Sequence, residues 1–239
     1  MKSKILIPIT IVALIVSYYI WQATPDYIRH GGPLLVLVMT LFFLALTFAI
    51  ERFIVLWRAG GRGDIRSFIA GVKDTVHDND ITAAIAACKQ QGGSLANVVG
   101  AGLESYHRRA AAPGSVNNDA LTETRRAMQE ANALEAPHLE QNLTALSTIA
   151  AIATLIGLLG TVIGMIRAFN AMSRAGAPDA TQLAIGISEA LVNTAFGLVT
   201  AIVATFLFNY FTTQVDAFNN RVEETSYEIL KLLEFRKES

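Results

Sequence analysis

The stretch "GLLGTVIGM", residues Gly157–Met165, lies in the middle of a long apolar run. Its glycines, Gly157, Gly160 and Gly164, are spaced so that they share one face of a helix. Glycines at such spacing let two membrane helices approach closely. A helix that serves only as an anchor needs no hydroxyl beside them, and yet Thr161 places one there. The stretch therefore predicts a tightly packed membrane helix in which the hydroxyl of Thr161 has a role beyond anchoring.

Four segments are apolar enough to cross a bilayer. Hydrophobic residues make up 52% of the 239 residues, and charged residues only 16%. A helix needs about twenty apolar residues to cross roughly 30 Å of hydrocarbon. The segments that meet this requirement are Ile5–Trp21, Leu34–Trp57, Leu146–Phe169 and Leu183–Phe211. No segment alternates in the manner of a β-strand, so the sequence predicts an all-α, polytopic membrane protein with four transmembrane helices.

Basic residues near the segment ends predict the orientation, because cytoplasmic loops are enriched in lysine and arginine. The loops 22–33 and 171–182 contain only Arg29 and Arg174, each balanced by an aspartate. The residues that follow the second and fourth segments are more basic: Arg58, Arg62, Arg66, Arg221, Lys231, Arg236 and Lys237. Both termini are therefore predicted to be cytoplasmic, together with a soluble part between the second and third segments.

The soluble part is predicted to be helical. Helical patterns cover Asp64–Val76, Asp80–Gln90 and Ser94–Arg109, and the first two open on an aspartate suited to an N-cap. A loop is predicted at Ala110–Asn118. From Asp119 the helical pattern resumes and runs toward the membrane, and Pro137 is expected to end or kink it. After Phe211 the pattern continues, so the last helix is expected to extend well past the bilayer.

The first segment admits two interpretations. Lys2 and Lys4 form a short basic region, as in a signal peptide. No small-residue cleavage site follows, and Trp21 with the Tyr18-Tyr19 pair is typical of an interfacial aromatic belt. A retained helix is predicted, with cleavage as the alternative.

Polar residues fall at matching depths in the last two segments. If these form an antiparallel hairpin that turns near Ala177, Thr161 and Thr194 lie at nearly the same depth. Ser147, Thr154 and Thr161 share one helix face. The other helix has two stripes, of which the first is Thr194, Ala201 and Thr205, and the second is Glu189, Asn193 and Thr200. Such a helix is expected to pack on protein with one stripe and to face a cavity or a partner with the other.

Two further features of the hairpin are predicted to matter. Gly186 and Gly197 lie across from the glycines of the third segment and are expected to pack against it. Glu189 is an intramembrane acid, which is costly unless it is paired, protonated or facing water. Its role is either functional or that of a structural hydrogen-bond acceptor between subunits.

Several classes of function are excluded by what the sequence lacks. A net charge of -1 gives no support to nucleic-acid binding, and the single Cys88 allows no internal disulfide. The chain contains no phosphate-binding loop and no nucleophile elbow. Its histidines share no metal-ligand spacing: His30, His77, His107 and His138. An enzyme is therefore not predicted, nor is any metal or cofactor.

Three segments resemble the MotA/TolQ/ExbB proton-channel family, and the ExbB/TolQ branch in particular. "GLLGTVIGMIRAF" (Gly157–Phe169) and "GISEALVNTAFGLVTAIVATFLFN" (Gly186–Asn209) are similar to its two signature segments. "GGPLLVLVMTLFFLALTFAIERF" (Gly31–Phe53) is similar to its first membrane helix, including the Glu51-Arg52 pair.

The resemblance implies a subunit of a bacterial inner-membrane motor. In this family a ring of five such proteins encloses two single-span partners of the ExbD/TolR type, and proton flow is coupled to work in the periplasm. Thr161, Thr194 and Glu189 match the polar residues of its proton pathway, to which Thr154 adds a hydroxyl. The titrating aspartate would come from the partner helix, since this chain has none within the membrane.

The resemblance also implies a division of the chain. An extra N-terminal helix with a short periplasmic loop would occupy 1–33, and the family's first helix 34–57. A helical cytoplasmic domain would follow at 58–145, the channel hairpin at 146–211 and a cytoplasmic C-terminal helix at 212–239.

The sequence departs from the family where Thr154 and Val203 replace prolines, which puts any proline kink in doubt. The system that the chain would drive stays open among import through a TonB-like arm, Tol-type envelope maintenance and gliding-type motility. A scaffold that does not conduct is the alternative from another class.

Overall fold

The chain is helical throughout its described parts, as predicted. A computed structural model describes residues 3–110, 117–173 and 179–235. Within these ranges the chain forms nine α-helices and no strand. The helices are α1 Ser3–Ala23, α2 Asp26–Arg29, α3 Gly32–Ala59, α4 Ile65–His77, α5 Ile81–Gln91, α6 Gly93–Ala110, α7 Asn117–Glu140, α8 Leu143–Met172 and α9 Ala180–Phe235. The predicted turn near Ala177 and all but the ends of the predicted loop Ala110–Asn118 lie outside the described residues.

Three helical stretches are long and apolar enough to cross a membrane. They include the segments predicted at Leu34–Trp57, Leu146–Phe169 and Leu183–Phe211. The first predicted segment coincides with α1, whose apolar part Pro8–Ala23 is shorter than the other three stretches. The structure thus supports three crossings by length and composition.

Two of the short helices begin at the predicted aspartate caps. The carboxylate of Asp64 accepts a hydrogen bond from the backbone N–H of Ser67 at 3.0 Å, and that of Asp80 accepts one from Ala83 at 2.8 Å. These bonds satisfy amides that have no partner within the helix. Because the Ser67 backbone amide and hydroxyl hydrogen-bond its charged form, the pKa of Asp64 is lowered.

Pro137 is predicted to end or kink its helix, and it does not end it. Helix α7 continues to Glu140, and the break comes at Asn142, whose φ of 65° is left-handed. Asparagine tolerates this conformation better than most residues. Arg52, only 1% exposed, donates hydrogen bonds to the carbonyls of His138 and Leu139 at 3.1 and 3.0 Å. It thereby satisfies acceptors that the end of α7 leaves without a helical partner.

The chain divides into two compact units. The first comprises Met1–Glu51 and Asn142–Phe211, and the second comprises Arg52–Gln141 and Thr212–Ser239. The second unit has an apolar core from all its helices, including Val72, Leu103, Met128, Val215 and Ile229. The first unit contains the predicted channel hairpin.

Cys88 lies in the core of the second unit, and its burial raises the pKa of the thiol to about 12. A thiol with this pKa is almost fully protonated at pH 7, and only the thiolate is nucleophilic. We therefore expect iodoacetamide to alkylate Cys88 in the folded protein at least about a hundredfold more slowly than an ordinary cysteine of pKa about 8.5, after allowing for the greater nucleophilicity of a thiolate of higher pKa. Mass spectrometry over time measures the rate, and the denatured protein is the control. Rapid alkylation of the folded protein at pH 7 would contradict the burial of Cys88.

Candidate functional site

Helices α8 and α9 bring their backbones into close contact at the glycines. A Cβ atom built on Gly160 would lie 2.3 Å from the Cβ of Asn193, and one built on Gly197 would lie 2.8 Å from the Cα of Gly157. Side chains larger than hydrogen do not fit at such distances. All five glycines predicted to pack helices lie on this contact: Gly157, Gly160, Gly164, Gly186 and Gly197.

The register of this contact is antiparallel. Gly157 faces Gly197, Gly160 faces Asn193, and Gly164 faces Ala190, so residues later in α8 meet residues earlier in α9. Thr161 and Thr194 each follow a member of the Gly160–Asn193 contact by one residue. They therefore lie at nearly the same level of the hairpin.

The hydroxyl of Thr194 joins the two helices. Its Oγ1 donates to the carbonyl of Gly157 at 3.1 Å and lies 3.0 Å from the carbonyl of Ala190 in its own helix. The other two threonines bond within α8, Thr161 to the carbonyl of Leu158 at 2.6 Å and Thr154 to that of Ala150 at 3.1 Å. All three side chains are partly exposed.

The two polar stripes of α9 differ in burial. Glu189, Asn193 and Thr200 are buried, with exposed fractions of 4%, 0% and 2%. Thr194 and Ala201 are partly exposed, and Thr205 is exposed. One stripe therefore packs inside the first unit, whereas the other borders its surface.

Asn193 ties α9 to the start of α3. Its Nδ2 donates to the carbonyl of Gly31 at 3.0 Å. Its Oδ1 is buried and accepts no hydrogen bond from the described residues. A buried amide with one satisfied end is costly, so this contact constrains where α9 can lie along α3.

Glu189 is held by a residue that the sequence analysis missed. Nη1 of Arg167 lies 2.5 Å from both carboxylate oxygens of Glu189. The carboxylate side chain is 5% exposed and the arginine side chain 56%. The arginine thus compensates the buried charge while one side of its own side chain stays accessible.

A signal for this pair was present in the sequence. The antiparallel register that sets Gly160 against Asn193 also brings Arg167 level with the first turns of α9. The predicted apolar segment begins at Leu183, whereas α9 begins at Ala180. Glu189 therefore lies about two and a half turns inside α9.

Three long apolar helices, two of them packed through glycines and joined by buried polar contacts, define a helical membrane protein. Comparison with known proteins gives the family. The model of the MotA/TolQ/ExbB proton channel family matches residues 91–224, which is more than half of the chain. The chain belongs to the MotA/TolQ/ExbB proton channel family.

Individual relatives belong to the ExbB and TolQ branch. A putative biopolymer transport protein ExbB-like 3 from Synechocystis sp. is 46% identical over 36% of this chain and 42% of its own length. The Tol-Pal system protein TolQ from Haemophilus influenzae is 41% identical over 43% of this chain and 46% of its own length. The biopolymer transport protein ExbB from Xanthomonas campestris pv. campestris is 34% identical over 45% of this chain and 44% of its own length. The matched stretch thus spans less than half the length of these relatives.

The glycine contact predicts an unusual response to alanine. Alanine normally stabilises a helix interior relative to glycine by about 0.5–1 kcal/mol. At Gly164, however, a Cβ would lie 2.6 Å from the carbonyl oxygen of Gly186. We expect Gly164→Ala to lower the unfolding temperature of the purified protein in detergent. Gly71→Ala is the matched control, because a Cβ there meets nothing within 4 Å. Equal melting of the two variants would contradict the close approach of α8 and α9.

The Arg167–Glu189 pair predicts coupling between two substitutions. Arg167→Gln leaves a buried carboxylate without its counter-charge, and we expect a loss of about 1–3 kcal/mol in the free energy of unfolding. Glu189→Gln in the same protein should recover part of this loss. The exposed pair Arg126–Glu130, at 68% and 63% exposure, should give a coupling below about 0.5 kcal/mol. Thermal unfolding of the single and double variants measures both couplings, and equal values would refute a special role for Arg167.

Proposed function

We propose that the chain is a subunit of a bacterial inner-membrane proton channel that couples the proton motive force to work in the periplasm. The observation that carries this proposal is the position of Thr161 and Thr194 at nearly the same level of a glycine-packed hairpin. Membership of a proton-channel family supports it. Thr161, Thr194 and Thr154 would line the proton pathway, because they border the surface of the unit.

The titrating group would come from a partner. A threonine hydroxyl does not ionise near neutral pH, and the carboxylate of Glu189 is occupied by Arg167. Glu189 therefore fits a structural role in the pathway better than that of a proton carrier. A carboxyl on a single-span helix of the ExbD/TolR type, facing Thr161 and Thr194, would complete the site.

The hydroxyl geometry favours a hydrogen-bond donor opposite these residues. The hydroxyl protons of Thr161 and Thr194 are engaged by backbone carbonyls. Their lone pairs are therefore the groups left to interact with a neighbour. A protonated carboxyl or a water molecule suits this arrangement, whereas a carboxylate would first require a hydroxyl to rotate.

The proposed assembly is a homo-oligomeric ring, in the family pattern a pentamer around a partner dimer. Exposed apolar residues on α8, among them Leu155, Leu158 and Val162, are available for contact with neighbouring subunits or lipid. We propose four crossings with both termini cytoplasmic, α1 at the periphery, and cytoplasmic helices at 58–145 and 212–239.

We propose that the work performed is energising TonB-dependent outer-membrane transport, which the resemblance to the ExbB branch implies; the names of the ExbB relatives say biopolymer transport. A Tol-type role is the second candidate, because a TolQ protein is matched at similar identity. A neighbouring reading frame that encodes a single-span protein with an aspartate early in its span would favour either motor over a scaffold.

The proposal is tested by removing the hydroxyls and keeping the shape. Thr161→Val and Thr194→Val replace a hydroxyl by a methyl group of similar volume. Loss of the interhelical bond of Thr194 costs only about 0.6 kcal/mol, so both variants should purify with the partner. Proton flux through the reconstituted complex, read with a pH-sensitive dye, should fall at least about tenfold, which corresponds to a barrier raised by about 1.4 kcal/mol.

The matched control is Thr47→Val, which removes a hydroxyl bonded to the carbonyl of Phe43 in α3. Its flux should equal that of the parent. Each proton that crosses 100 mV releases about 2.3 kcal/mol, so periplasmic work in cells should fail together with flux. Full flux in the Thr161→Val, Thr194→Val double variant would leave the scaffold as the better explanation.

A further inference from the structure

The end of α3 and the turn after it form a corner of the surface that is rich in aromatic and basic residues. This corner has no role in the proposed channel. Trp57 is 76% exposed and Phe53, one turn earlier, is 62% exposed. Arg58 comes next, and the helix ends at Ala59. Tryptophan followed by arginine at the end of an apolar helix is typical of the level of lipid headgroups.

The backbone of this corner is fixed by the turn that follows α5. The N–H of Arg62 donates to the carbonyl of Gln91 at 2.8 Å, and the side-chain amide of Gln91 donates to the carbonyl of Gly60 at 3.1 Å. Gly61 has a φ of 77°, and a Cβ there would lie 2.2 Å from the carbonyl oxygen of Gly92. Arg58 and Arg62, which flank Gly60 and Gly61, are therefore attached to a backbone of defined conformation.

Two cavities meet at this corner and share Trp57, Gly61 and Arg62. One has a volume of about 660 Å³ and is also lined by Arg66 and Arg221. The other has a volume of about 520 Å³ and is also lined by Arg58 and Lys89. Both are large enough for a phosphodiester headgroup.

The charge of the corner is only partly neutralised by the protein. Lys89 pairs with Glu104 at 2.8 Å, and the Asp64 carboxylate caps α4 and interacts with Arg66. Among the residues that the structure describes, Arg58, Arg62 and Arg221 form no ion pair. Guanidinium groups bind phosphate oxygens in a planar, two-bond geometry.

We propose that this corner, formed by Trp57, Arg58, Arg62, Arg66 and Arg221, is a binding site for the headgroup of an anionic phospholipid. The arginines bind the phosphate, while Trp57 and Phe53 contact the glycerol and the start of the acyl chains. A free phosphate ion would use the arginines but would gain nothing from the exposed aromatic face. This inference does not depend on proton conduction.

Quenching of Trp57 fluorescence by brominated lipids tests the site. The chain has two tryptophans, so a Trp21→Phe background isolates Trp57 in the full-length protein. In bilayers of phosphatidylcholine and phosphatidylglycerol, brominating one lipid at a time gives their relative binding constant at Trp57. We expect a preference for phosphatidylglycerol that falls about fivefold for each arginine removed, the equivalent of about 1 kcal/mol per basic residue.

Arg62→Gln with Arg221→Gln should therefore lower the relative constant about 25-fold. The matched control is Arg108→Gln with Arg109→Gln, which removes two exposed arginines from the last turn of α6 and should leave the preference unchanged. If both double variants lose the preference equally, it reflects only the net charge of the protein, and the proposal is overturned. Displacement by inorganic phosphate beyond that by chloride of equal ionic strength would assign the arginines to a free anion. If neither brominated lipid quenches Trp57, the corner does not contact the bilayer and the proposal is overturned.

Discussion

The close approach of α8 and α9 at their glycines is the constraint on which the first unit depends. Lipid tails are as apolar as leucine, so apolar surface alone does not hold two membrane helices together. Gly160 lets Asn193 reach into the contact, and Gly157 presents its carbonyl to Thr194. Without that approach, Thr194 would lose its interhelical bond and keep only the carbonyl of Ala190 in its own helix.

Much of this arrangement could be predicted from the sequence because it depends on local periodicity. Helix spacing placed Gly157, Gly160 and Gly164 on one face, and the aspartates before α4 and α5 indicated their starts. The level of Thr161 and Thr194 followed from counting residues on both sides of one turn. Such inferences need only the rise of a helix and the preference of a residue for a cap or a contact.

The features that the sequence did not predict depend on which helices contact each other in the folded chain. Arg52 reaches the carbonyls at the end of α7, which lie 86 and 87 residues further along the chain. No periodicity within α3 indicates that acceptor. Pro137 is predicted to end or kink its helix and does not end it. Proline costs one backbone hydrogen bond and some packing space, whereas the hydrogen bonds from Arg52 stabilise the end of α7. For Arg167, the register suffices: placing Thr161 level with Thr194 also places Arg167 level with the turn of α9 that contains Glu189.

Polar contacts give the hairpin one register, where glycines alone would tolerate several. The small-residue face of α8 extends from Ala153 to Ala171, so a shift of α9 by one turn would still bring small residues together. The same shift would carry Glu189 away from Arg167, Asn193 from Gly31 and Thr194 from Gly157. Glu189 and Asn193 are buried, so the loss of each partner would cost about 1–3 kcal/mol. Thr194 would lose only its interhelical bond, at about 0.6 kcal/mol. The glycines therefore permit the close approach of α8 and α9, whereas the polar pairs determine the register that places Thr161 and Thr194 at nearly the same level.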